Sequence, residues 1–296
     1  VVMLNEDGDE KASQLYMYLG TKQEKGANFA EKAGLTNGQL YAISVKNART
    51  DLKFRANYKV GEKAEVGFNP LNTDPAFADV QAQAQGAGTT FSRVEDGEWD
   101  PKNPNVYYFL TTQSTKDPIA SAPNPATPTV SRDGGALWRM TFKDVKNPMK
   151  GATIEMLLNG GEAPYLSKPD NLAIDESGHI LIQEDPGSNA HLARVIAYRI
   201  SDGKLATVAQ FDKTYFATDA TTPITIDEES SGIVNANAFL KKAGDSASYF
   251  FFNAQVHATT SKSRLESTPV DALDQAAIEG GQFYLLKIAD WNKIYS

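Results

Sequence analysis

Six side chains stand where they could do chemistry together. Glu95 and Asp96 open a hairpin that runs to Thr112, Asp170 and Asp185 bracket a second that starts at Pro169, and Glu229 opens a third segment that ends on His257. If the units carrying them are arranged in a ring, corresponding positions converge, and Glu95, Asp170, Asp185 and Glu229 become candidates for one site. Carboxylates brought together repel and raise one another's pKa unless a cation sits among them. The chain has no cysteine, so thiolate ligands are excluded. Oxygen ligands favour Ca2+, Mg2+ or Mn2+ over softer metals. Asn171, Asn253 and Gln255 could add neutral oxygens, and calcium is the natural inference.

The histidines are three. His179 lies in a Glu-Ser-Gly-His turn and His191 in a polar loop, and both read as exposed surface residues. His257 closes the apolar strand Phe250 to His257 and reads either as a satisfied structural histidine or as a functional one. No other catalytic apparatus competes. The chain lacks a Gly-x-Ser-x-Gly elbow, a phosphate-cradling loop with Lys-Ser/Thr, and a His-Glu-x-x-His pair. The acidic run Asn5 to Glu10 reads as a solvated turn or a cation loop, but no Glu follows at the EF-hand offset.

The elements that must position these residues are strands. Asp100 to Asn105 supplies turn chemistry between Thr90–Trp99 and the aromatic run Val106–Leu110, and Asp175-Glu176-Ser177-Gly178 does the same in the second hairpin. A further element recurs at Gly38–Ser44, Gly135–Thr141 and Gly281–Lys287, with a weaker copy at Ala193–Arg199. Each is a strand with an aromatic near its middle. Fourth strands are expected at Glu65–Phe68, Thr153–Leu158 and Leu205–Phe211. Four-strand units repeated along a chain are the mark of a β-propeller. The expectation is one all-β propeller domain over residues 1–296, with four units readable and a closed ring needing five or six. Long inserted loops are expected near 69–88 and 114–133, and sequence missing before Val1 would supply further strands.

Composition bounds the partners. Thirty-seven acidic against 29 basic residues give a net charge of -8, which argues against nucleic acid and fits a cation-binding surface. No run of 18 apolar residues occurs, so no membrane-spanning helix is expected.

Arg93-Val94-Glu95-Asp96 followed by Tyr107 to Thr112, then Pro169-Asp170-Asn171, then Glu229-Ser230-Ser231-Gly232 with Phe252 to His257, fall in one order. That order resembles the PhoX-type bacterial alkaline phosphatases over roughly residues 90 to 288, with a weaker echo in the first 45. The resemblance implies a secreted, periplasmic or extracellular β-propeller phosphomonoesterase acting on a small phosphorylated substrate, with calcium and iron held mainly by carboxylates. It makes Glu95 and Glu229 the metal-binding glutamates, with Asp170 and Asp185 nearby. Asp96 joins the ligand set, and Glu95, Glu229 and His257 carry the expected catalysis. The family's metal-binding cysteine has no counterpart here, Asp227-Glu228 stands where an arginine is expected, and Ala258-Thr259 replaces Pro-Gly. Two other readings stay open: a non-catalytic calcium-binding propeller serving as a structural or interaction module, and a calcium-dependent lactonase or phosphotriesterase.

Overall fold

The protein is described from a computed structural model, covering all residues except 9–12, 75, 77–78, 114–122, 125–126, 132–133, 188–191, 218, 222–223, 226 and 258–278. It is built from consecutive antiparallel meanders, the β-propeller plan. The first comprises β1 (Val2–Asn5), β2 (Leu15–Leu19), β3 (Gln39–Val45) and β4 (Ala64–Pro70). The second comprises β5 (Val94–Trp99), β6 (Val106–Thr111), β9 (Ala136–Phe142) and β10 (Ala152–Leu158), with the short pair β7 (Pro123–Asn124) and β8 (Thr127–Ser131) between. The third comprises β11 (Pro169–Ile174), β12 (His179–Glu184), β13 (Arg194–Arg199) and β14 (Leu205–Gln210). The fourth has β15 (Glu228–Asn235), β16 (Ser248–His257) and β17 (Glu279–Ile288). The recurring aromatic strand is the third strand of every meander, and the expected fourth strands are β4, β10 and β14. Among the described residues β17 has no further neighbour in its sheet.

Tertiary packing adds one departure from four separate units. β4 and β10, the last strands of the first two meanders, pair antiparallel with Val66 opposite Ala152. An edge strand presents unpaired N–H and C=O groups, and pairing two edges satisfies both rows. The result is one eight-stranded sheet whose ends return to each other, for the Asn5 side chain donates to the Glu95 carbonyl and accepts from Tyr107 Oη at 3.0 Å. Alternation along its strands sends Met17, Ile43, Phe109, Trp138, Met140 and Ile154 inward, all fully buried. Phe91, Phe109 and Trp138 make edge and stacked ring contacts there. A second core packs Tyr108, Leu110 and Leu137 against Leu172, Ile180 and Ile196. A third packs Leu181 and Val195 against Ile233, Phe250 and Ile288. The expected loop at 69–88 contains the helix Val80–Ala87, capped by the Asp79 side chain on Ala82 N–H.

The innermost strands are laced across the seams by side chains. Asp96 accepts from Leu172 N–H at 3.1 Å and Glu98 from Ile174 N–H at 2.8 Å, so two acids of β5 take up the edge amides of β11. Asn171 Oδ1 accepts from Gly232 N–H, and Gln183 Oε1 from Ile233 N–H. At the far end of β11, Asp175 is buried and accepts from Ser248 Oγ at 2.7 Å and Trp291 Nε1 at 3.0 Å, with His179 Nδ1 at 3.3 Å. His179 is therefore not the exposed turn residue expected: only 7% exposed, it stacks on Trp291 at 3.9 Å. Burial pushes the Asp175 pKa up, but the donors from His179 and Ser248 outweigh it and hold the group below its ordinary value. Asp175→Asn turns an acceptor into a donor among donors and should destabilise the fold by about 2 kcal/mol. A lower urea midpoint at unchanged slope is the expected reading, and an unchanged midpoint would show that the network contributes nothing.

Candidate functional site

The starts of three innermost strands and the ends of their partners bring the predicted acids to one place. Glu95 is the second residue of β5, Asp170 the second of β11, Glu229 the second of β15, and Asp185 follows β12. Glu229 sits opposite Gln255 in the β15–β16 ladder, two residues from His257, whose Nε2 lies 3.5 Å from Glu229 Oε2.

Electrostatics tie four carboxylates together. The pKa of Glu95 is pushed up to about 9, first by burial, then by the charges of Asp170 and Asp7; Arg93 opposes the shift. Asp170 is pushed up to about 6 by burial, then by Glu229 and Asp185. Burial and then Asp185 raise Glu229, while His257 counters them. The contact between the Glu95 and Asp170 carboxyl groups raises Glu95 and lowers Asp170. Two carboxylates in contact must share a proton or a cation. The Glu95 side chain is only 11% exposed and that of Glu229 15%, so water screens the repulsion poorly.

The donor set is all oxygen with one imidazole, which fits a hard divalent cation. It does not fit an iron bound through thiolate, because the chain has no cysteine. Among the described residues no three of these groups stand in a metal-ligating arrangement.

Asp96 is not brought into this group. Its oxygens are occupied by Leu172 and Gly97 N–H groups, and it lies with Glu95 at a bulge, where the β5–β6 register shifts between Val94 and Gly97. His191 lies outside the described residues. Of the neutral oxygens, Asn171 Oδ1 is engaged by Gly232, and Gln255 donates to Ser231 at 3.4 Å. Two residues of the site carry no acid-repeat signature. Asp7, from the turn after β1, accepts both Nε and Nη2 of Arg93 at 2.9 Å, and Arg93 Nη2 reaches Glu95 Oε1 at 3.2 Å. The density of acids around Asn5 to Glu10 was the available signal for Asp7, but its partner is 86 positions away.

A cavity of about 730 Å3 lies elsewhere, between the third and fourth meanders. It is lined by Phe211, Tyr215, Phe216, Phe252 and Tyr284 with small neighbours, and none of the predicted site residues lines it.

The family described as alkaline phosphatase PhoX matches residues 1–236. No curated protein sequence matches the chain. Among solved structures, Pseudomonas fluorescens PhoX in complex with vanadate, a transition state analogue, is similar at a TM-score of 0.51 and 15% identity. The likeness covers 84% of this chain and 46% of that one. At that identity it speaks for the fold alone, and the chain spans less than half the length of its structural neighbour.

Proposed function

From the premise that this chain belongs to the alkaline phosphatase PhoX family, which the match over residues 1–236 establishes, we propose that it is a metal-dependent phosphomonoester hydrolase. The observation that carries the reading is a chain of buried, adjacent carboxylates: burial raises Glu95, Asp170 and Glu229, and Asp170 adds to the rise of Glu95, Glu229 and Asp185 to that of Asp170, and Asp185 to that of Glu229. Such crowding is unfavourable for the fold and becomes useful when a divalent cation is held. Glu95, Asp170, Asp185 and Glu229 would hold it, calcium being the ion that an oxygen-only set suits. Bound there, the ion would polarise the phosphoryl group and lower the pKa of an attacking water. Glu229 orients His257 through the 3.5 Å contact, and the imidazole Nε2 can hold or deliver a proton at the ester oxygen that leaves. The substrate is a small phosphorylated molecule, and a periplasmic or extracellular location belongs to the same proposal, since the family is typically exported.

Elemental analysis of the purified protein, with an assay on a generic phosphomonoester before and after chelation, tests this. Stoichiometric calcium and chelator-sensitive turnover are expected. Bound calcium without turnover would leave a cation-binding module and overturn the hydrolase.

A further inference from the structure

Arg93 stands two residues before Glu95 with φ 60°, in the left-handed region that residues other than glycine seldom occupy. A glycine would sit there without strain, yet the position carries an arginine. Lys168, with φ 44°, holds the same place two residues before Asp170, so the strained cationic entry repeats in two successive innermost strands. The Lys168 ammonium lies toward Gly187, whereas the Arg93 guanidinium faces the Glu95–Asp170 pair. Strain held at the same place in two repeats asks for a reason beyond the turn itself.

Ion pairing alone does not supply that reason. A guanidinium beside Glu95 works against any cation those carboxylates bind, because its own positive charge already compensates them. Asp7 grips Nε and Nη2 in a fork at 2.9 Å on each arm, fixing the plane of the group. Glu95 takes a further contact on Nη2. The Nη1 amino group meets no acceptor among the described residues. A planar fork fixed from one side, presenting donors on the other, is suited to an oxyanion with two or more oxygens.

We propose that Arg93 is the anion-gripping residue of the site: its guanidinium takes a phosphoryl oxygen of a phosphate monoester dianion or of the product phosphate. Asp7 is its positioning residue, holding the fork in place without touching the anion. The inference rests on the reading that the carboxylates hold cations, because phosphate would otherwise be repelled by them.

The test is calorimetric titration of the full chain with inorganic phosphate, and separately with calcium, for the wild type and for Arg93→Gly and Arg93→Lys. Glycine relieves the backbone strain, so loss of fold is not expected, and the melting temperature checks that. Phosphate affinity of the calcium-loaded protein should fall at least tenfold in Arg93→Gly and less in Arg93→Lys. Calcium affinity should stay level or rise, because a competing positive charge is gone. A purely structural arginine would move both affinities down together, and that result overturns the proposal. So does phosphate affinity that is unchanged in Arg93→Gly, or a wild type that binds no phosphate in either condition. Phosphate binding that needs Arg93 but not calcium would sustain the anion grip and sink the cation reading instead.

Discussion

Glu95→Gln should abolish most of the hydrolysis of a generic phosphomonoester while leaving the fold intact. The loss expected is on the order of 10²–10³-fold, the usual effect of deleting one charged partner of a transition-state anion or its cation. Calcium affinity should fall with it. The direction of the stability change separates this variant from ordinary damage. When no cation intervenes, the contact with Asp170 favours the protonated form of Glu95. Glutamine has the same shape and donates permanently through its amide. In excess chelator at alkaline pH the variant should therefore melt higher than wild type, although it is the less active protein. Glu229→Gln should lose turnover similarly, but its partner is His257 at 3.5 Å rather than another acid, so its gain in chelator should be smaller. Retained turnover with a retained calcium response in Glu95→Gln would show that this carboxylate is not a ligand.

Much of the scaffold was legible because its signals are local. Asp100 to Asn105 and Asp175 to Gly178 are turns for reasons contained in four to six residues, and they separate β5 from β6 and β11 from β12 as read. The aromatic strand copies became the third strands β3, β9, β13 and β17. The expectation that Glu95, Asp170, Asp185 and Glu229 share a site came from their placement in the repeat, and neighbouring members of the set do influence one another's charge. What escaped depends on partners far along the chain. The β4–β10 pairing joins residues from two meanders, and nothing in either strand names the other. His179 looked like a turn residue because Trp291, which buries it, lies 112 positions on (291 minus 179). Arg93 stood in the Arg93-Val94-Glu95-Asp96 motif without a role of its own, and Asp7 and a positive φ give it a direction. Asp96 could not be told from Glu95 by alternation, because both lie at a bulge between Val94 and Gly97, and the Leu172 amide that engages Asp96 is 76 positions away.

Stripped of divalent cations, the protein should lose stability as pH rises from about 5 to 9, and calcium should remove most of that slope. The groups concerned are acids whose folded-state pKa lies above the ordinary carboxylate value: Asp170 at about 6, Glu98 and Glu228 at about 7, and Glu95 at about 9. For each of them burial is the first cause. Between the unfolded and folded pKa values the native state binds more protons than the unfolded state. Stability therefore falls with pH across that window. The contribution is fully present below about pH 4, where both states are protonated, and is gone above the highest folded value. Glu95 and Asp170 extend the window through neutrality, and they are the pair a cation relieves. Glu98 and Glu228 accept N–H groups from Ile174 and Ala193 instead, so a shallow slope should persist in calcium. At pH 8 a ligand at a hundred times its dissociation constant stabilises by about 2.7 kcal/mol. For a chain of this length that corresponds to roughly 5–10 °C in melting temperature. Near pH 5, where Glu95 keeps its proton, the calcium shift should shrink to a small fraction of that. A calcium shift equal at pH 5 and pH 8 would mean that the ion binds groups other than this carboxylate pair, and a chelated protein whose melting temperature rises with pH would mean that these four acids are not buried in solution as they are here.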